Sequence, residues 1–165
     1  MDKLMMRSIR RYVGRSQLLD RAMTHIAKYG PLWLFLVMGV VAVQGGKQEL
    51  VAVLLALLAA TLTRGLNELI GRLYFRTRPF VAEGFKPLLE HRPSASFPSN
   101  HSACGFALAV SVWWLVPIVG AVMLIMAGIL ALSRVYVGLH YPSDVTLGAM
   151  LGASVALLLT KAIFP

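Results

Sequence analysis

Charge is what this chain has least of. Only 14% of its 165 residues are Asp, Glu, Lys or Arg, against roughly 25% in an ordinary soluble domain. That supply does not cover a globular surface, and with 58% hydrophobic residues it points to a membrane bundle. Acidic residues are scarcest, 7 against 16 Lys+Arg, which leaves a net charge of +9. On a membrane protein such an excess implies anionic headgroups or an anionic ligand. The single cysteine, Cys104, excludes an intrachain disulfide, and within an apolar run it reads as a small buried side chain. No internal repeat, low-complexity tract or linker is present, so one domain over 1–165 is expected. No small-residue cleavage site flanks the first apolar run, so no cleavable signal peptide is expected.

What is present is a series of long apolar runs. Residues 1–21 place Leu4, Met5, Ile9, Val13 and Leu18 roughly opposite Lys3, Arg7, Arg10, Arg11 and Arg15. This pattern predicts a basic amphipathic helix in the headgroup plane, in contact with anionic lipid. Its charge alone, with no aromatic interleaving or motif, does not support a nucleic-acid partner. Membrane spans are predicted over about 22–44, 50–75, 101–115, 119–137 and 144–163; against the roughly 20 residues a span requires, the third is short and the first has a short uncharged core. The fold expected is therefore an all-α integral membrane bundle of about five transmembrane helices plus the interfacial helix. In the second span Arg64, Asn67, Glu68 and Arg72 fall on one helical face. They read either as an Arg64–Glu68 tie between helices or as the lining of a wet cavity. The one long polar stretch, 76–100, is rich in Pro, Ser and charge and reads as an extramembrane loop.

Because spans alternate in direction, Arg78, Ser99, Asn100, His101, Ser133, Arg134, His140 and Asp144 all emerge on one membrane face. Such a set suits a phosphate ester. Arg78 and Arg134 supply forked, charge-assisted hydrogen bonds for phosphoryl oxygens. "PSNH" at 98–101 adds a helix start with free N–H groups. In "HYPSD" a carboxylate four residues after His140 can accept one imidazole N–H and leave the other nitrogen free to attack. His101 remains to move protons. Taken singly, Ser99 and Asp144 are equally well read as helix caps; the joint spacing is what favours chemistry.

"RP" at 78–79, "PSNH" at 98–101 and "SRVYVGLHYPSD" at 133–144 resemble the three signature motifs of the type-2 phosphatidic acid phosphatase family. The third matches at every fixed position. The resemblance implies a membrane lipid phosphatase that needs no metal or other cofactor. It makes His140 the nucleophile, Asp144 its orienting group and His101 the acid–base residue, with Arg78, Ser99 and Arg134 binding phosphate. Two departures stand out. The first motif usually opens with Lys seven residues before the arginine, where Gly71 stands here, and the adjacent Arg72 is the candidate to supply that charge. In the second motif Asn100 replaces a glycine; Asn tolerates unusual backbone angles, and its amide is a further candidate phosphate contact.

Within that family the short chain and "YFRTRPFVA" look most like the bacterial undecaprenyl pyrophosphate phosphatases. Phosphatidylglycerophosphate and phosphatidate phosphatases share the motifs and stay open as alternatives, as does a non-catalytic lipid-phosphate binder or transporter. A vanadium-dependent haloperoxidase, with a related pocket in a larger and mainly soluble protein, fits the spans poorly. The basic residues gather on the motif-bearing face, with Lys47 and Lys161 opposite. By the positive-inside rule that face is cytoplasmic. Several of those arginines serve the site, however, and carrier-lipid relatives act outside, so an extracytoplasmic site is the expectation.

Overall fold

The computed structural model describes residues 1–92 and 94–164. Among the described residues seven helices follow one another: α1 (Asp2–Arg10), α2 (Gln17–Gln44), α3 (Lys47–Leu73), α4 (Pro79–Ala82), α5 (Asn100–Leu115), α6 (Pro117–Tyr136) and α7 (Pro142–Ile163). The all-helical bundle expected from the sequence is present. Four helices, α2, α3, α6 and α7, are long and apolar enough to cross a membrane. Their outer faces expose Leu36, Leu54, Ile125 and Leu158 to the surroundings, as lipid-facing surfaces do. The fifth expected span, α5, has 16 residues, below the roughly 20 of a full span. It sits at the centre, packed against α7, α3 and α6.

Small residues set that centre. A side chain at Gly152 would meet the Ala103 carbonyl, and one at Gly148 the Ser99 carbonyl, so α7 lies directly against the backbone of α5. Gly120 packs on the Trp113 backbone. With Val116 alone between α5 and α6, the two form a tight hairpin. An apolar core of Leu34, Met38, Leu108, Met123 and Leu130 joins α2, α5 and α6.

The N-terminal region departs from expectation. Residues 1–21 are not one helix: α1 stops at Arg10, Gly14 takes φ +81°, and Ser16 caps α2 by accepting the Leu19 N–H. Only glycine adopts that angle readily, which is why the periodic pattern breaks there. Nor does α1 float free. Met6 is buried against Ala131, Val135, Tyr141 and Val145. Arg10 donates to the Tyr136 carbonyl at 3.0 Å and lies 3.9 Å over the Phe85 ring. Lys3 and Arg7 pair with Glu83. The helix thus lies across the loop-bearing end of the bundle, where its outward face shows Leu4 and Met5.

Candidate active site

The site forms where the 76–100 loop folds back on itself, through a bridge between Thr77 and Ala95, over the ends of α5, α6 and α7. His140 lies in the turn before α7 and is 2% exposed. Its Nδ1 is 2.8 Å from the Ser96 carbonyl, an acceptor only, so that nitrogen carries the proton. The other nitrogen, Nε2, is then the free base. Arg78 Nη1 donates to it at 3.1 Å and to the Leu139 carbonyl at 3.0 Å, while Arg78 Nε donates to Ser94 Oγ.

Asp144 acts differently from the sequence expectation. Its Oδ2 lies 3.8 Å from His140 Nδ1, too far for a hydrogen bond. The Ser96 carbonyl takes the imidazole N–H instead, because the loop brings that backbone closer than one helical turn brings the carboxylate. Asp144, wholly buried, is held by Ser96 Oγ, by the Tyr141 N–H at 2.8 Å and by Arg76 at 2.6 Å. It faces the imidazole as a fixed negative charge. Burial pushes the His140 imidazole down to about 4; Asp144 opposes that shift and the guanidinium groups of Arg78 and Arg134 add to it. The group is therefore a neutral base at neutral pH. Burial likewise pulls Arg78 below its ordinary value, with Asp144 opposing.

Arg134 in the last turn of α6 is 2% exposed. Its Nη1 donates at 2.9 Å to the Ala27 carbonyl of α2. That carbonyl is available because Pro31, four residues on, has no N–H to offer it. Among the described residues, the buried Nε of Arg134 has no partner. Ser99 is wholly buried and caps α5 by accepting the Ser102 N–H, and its own N–H donates to the Asp144 carbonyl. Asn100 accepts from Asn67 at 2.7 Å. His101, one residue further into α5, has Arg134, His140 and Arg78 as its electrostatic neighbours.

The structure thus gathers His140, Asp144, Arg78, Arg134, Ser99 and His101 at one end of the bundle, with Asn100 at the edge. Arg72 is not with them. It lies on the outer side of α3 in an exposed ion pair with Glu68 at 2.6 Å, so the polar residues of α3 do not share one role. Position 71 faces inward instead, where a side chain would press on the Phe97 carbonyl at 3.3 Å; glycine there leaves room for the loop. Cys104 is half-buried rather than buried.

The residue that sequence reasoning missed is Arg76. It bonds Asp144, Ser143 and, at 2.6 Å, the Asp2 carboxylate of α1, and so links the N-terminal helix to the carboxylate beside His140. The available signal was "RTR": in an extended segment residues two apart share a face, which puts Arg76 alongside Arg78. Among the described residues, no cluster of three or more His, Cys, Asp or Glu has metal-ligand geometry.

Comparison with known proteins gives a consistent picture. Residues 49–165 match the PAP2 superfamily. Undecaprenyl-diphosphatase BcrC of Bacillus subtilis is 32% identical over 138 residues, covering 84% of this chain and 71% of that protein. The crystal structure of Aquifex aeolicus LpxE superposes with a TM-score of 0.81 at 26% identity, covering 97% of this chain and 94% of the other. That of a transmembrane PAP2-type phosphatidylglycerolphosphate phosphatase from Bacillus subtilis gives 0.73 at 25%, covering 97% and 83%.

Proposed function

The chain belongs to the PAP2 superfamily, and from that premise we propose that it is a metal-independent lipid phosphatase. It removes the terminal phosphate of a membrane lipid through a phosphohistidine, with undecaprenyl pyrophosphate as substrate and undecaprenyl phosphate as product. One observation carries the reading: His140 Nε2 is an unprotonated, buried nitrogen that meets Arg78 and feels the charge of Arg134, which among the described residues keeps an unpartnered N–H. The likeness to undecaprenyl-diphosphatase BcrC supports the choice of lipid.

In the first step the terminal phosphoryl group displaces Nε2 from Arg78, whose guanidinium turns to the phosphoryl oxygens with that of Arg134. The Nε2–P bond forms, the P–O bond to the lipid phosphate breaks, and His101 gives the leaving oxygen its proton. The imidazolium charge that develops faces the Asp144 carboxylate, while the Ser96 carbonyl keeps the Nδ1 proton in place. In the second step His101 takes a proton from water, the new O–P bond forms and the N–P electron pair returns to Nε2, releasing orthophosphate. Ser99 and the start of α5 hold oxygens as charge redistributes. Fixed donors of this kind contribute most where little reorganisation is required.

Arg11 and Arg15, exposed just after α1, bind anionic headgroups beside the site together with the outward Leu4 and Met5, and the site faces the extracytoplasmic side. Lys3, Arg7, Arg10 and Arg76 are engaged within the protein. The positive-inside rule counts Lys and Arg rather than net charge; the outward assignment rests on Arg76, Arg78 and Arg134 being held at this end by the site. The test is phosphate release by detergent-purified protein in EDTA from undecaprenyl pyrophosphate, phosphatidylglycerophosphate and phosphatidate. The expected result is the highest kcat/KM for the pyrophosphate, undiminished by the chelator. Release from none of the three overturns the enzyme reading in favour of a lipid-phosphate binder.

A further inference from the structure

One charged residue has no place in the chemistry described so far. Arg64 lies on α3 nine residues before its C-terminal end, about 14 Å along the helix. Among the described residues it has neither a hydrogen bond nor an ion pair; Glu68, its expected partner, is taken by Arg72. An isolated guanidinium at such depth is costly, and its surroundings show what it faces. Asn67 reaches Asn100 and the Ala60 carbonyl lies 3.7 Å from Cys104 Sγ. This antiparallel register sets Arg64 level with the first turn of α5. It lines a groove of about 280 Å³ together with Asn100, His101 and Cys104 on one side and Pro31 and Leu34 on the other. Apart from Thr61, whose hydroxyl donates to the Leu57 carbonyl of its own helix, the remainder of the lining is apolar.

The groove adjoins the phosphate site at the start of α5. His101 belongs to both, and Pro31 follows by one helical turn the Ala27 carbonyl that holds Arg134. A leaving group protonated by His101 must therefore point into this groove. When the substrate is a lipid diphosphate, that leaving group is itself a phosphate, carrying charge into an otherwise apolar channel. We propose that Arg64 binds the lipid-proximal phosphate of a diphosphate substrate, with the first part of the tail lying along the groove between α2 and α3. Arg64 is thereby a specificity residue that favours diphosphate over monophosphate lipids. This rests on the phosphatase reading for its geometry and adds to it the residue that selects a diphosphate.

The experiment compares wild-type protein with Arg64→Gln and Arg64→Lys on two probes with one tail, farnesyl diphosphate and farnesyl monophosphate. Removing a charge-assisted hydrogen bond from the leaving phosphate lowers kcat/KM for the diphosphate about 10- to 100-fold. The monophosphate, whose leaving group is an alcohol, changes less than about twofold, and Lys restores part of the activity. Equal decreases on both probes, or none on either, overturn the proposal while leaving the phosphatase reading intact. Binding of non-hydrolysable farnesyl methylenediphosphonate and farnesyl phosphonate separates the two ideas further. If wild-type protein turns over neither lipid yet loses diphosphonate affinity alone on Arg64→Gln, the Arg64 site stands and the enzyme reading falls.

Discussion

The two flanks of α5 are built on opposite terms. Against α7 the helix is locked: Gly148 and Gly152 bring the backbones together, the Ser99 N–H donates to the Asp144 carbonyl, and Ser102 Oγ donates to the Val145 carbonyl at 2.6 Å. The Asp144 carboxylate there is fully engaged. Against α2 the same helix leaves a groove, lined by Arg64, which is exposed and without a partner among the described residues, and close to Arg134, whose buried Nε–H has none either. The first flank fixes the attacking nitrogen; the second keeps donors in reserve for the ligand. A satisfied network rigidifies, whereas a buried donor without a partner costs free energy until something fills it. Preorganisation and hunger for anion are thus separated onto the two sides of one helix.

The sharpest way to break that separation is at its junction. His140→Ala removes the nitrogen that the locked flank holds and the open flank addresses. Phosphate release is expected to fall by more than about 10³-fold, and acid-labile phosphoenzyme trapped by rapid quench should vanish with it. A variant that retained most of its turnover would mean that another group attacks phosphorus.

Arg78→Gln tests how the open flank acts on the locked one. The Arg78 charge disfavours imidazolium, adding to the burial that brings His140 to about 4; its removal therefore raises the midpoint toward the ordinary value near 6.5. Turnover is expected to fall about 10²-fold. The His140 ring resonance, assigned by its disappearance in His140→Gln, should titrate at higher pH in Arg78→Gln than in wild type. An unchanged midpoint would mean that the guanidinium does not face the imidazole in solution.

Two glycines sharpen the contrast through stability. At Gly152 a Cβ would lie 1.9 Å from the Ala103 carbonyl, backbone that cannot yield. Gly152→Ala should cost about 3 kcal/mol or more, read as a large drop in thermal unfolding temperature in detergent. At Gly105, which faces the open flank, the nearest atoms would be 3.5 Å away on Ala127 and Leu34. Gly105→Ala should be neutral, or stabilising by up to about 1 kcal/mol from helix propensity. Equal effects at the two positions would erase the difference between the flanks.

Much of this was legible in the sequence, and the misses share a cause. Apolar periodicity gave α5 to within a residue of its start, and motif spacing brought six of the eight candidate site residues into one cluster, with Asn100 at its edge. Both signals are local or family-wide. Arg72 failed because helical spacing fixes an angle around α3 but not which neighbour lies at that angle; Glu68 on the outside captured it. The partner of His140 failed because the Ser96 carbonyl arrives from 44 residues away, through a loop whose path no period encodes. Arg76 stayed hidden because its partner Asp2 belongs to a helix that the charge pattern assigned to lipid.

Pro31 offers the smallest expected effect and the most discriminating sign. Pro31→Ala restores an N–H that claims the Ala27 carbonyl, the acceptor that Arg134 Nη1 now uses. A helix-interior proline ordinarily costs about 3 kcal/mol, so the variant should be more stable than wild type. With its anchor contested, Arg134 should bind the phosphoryl group less well, and kcat/KM should fall about three- to tenfold. Placed on Arg134→Gln, the same substitution should change activity no further, because the two act through one hydrogen bond. Greater stability with undiminished activity would show that Arg134 is positioned without Ala27. Greater stability with lower activity, abolished in the double variant, would make the proline a backbone defect kept on the open flank to aim an arginine.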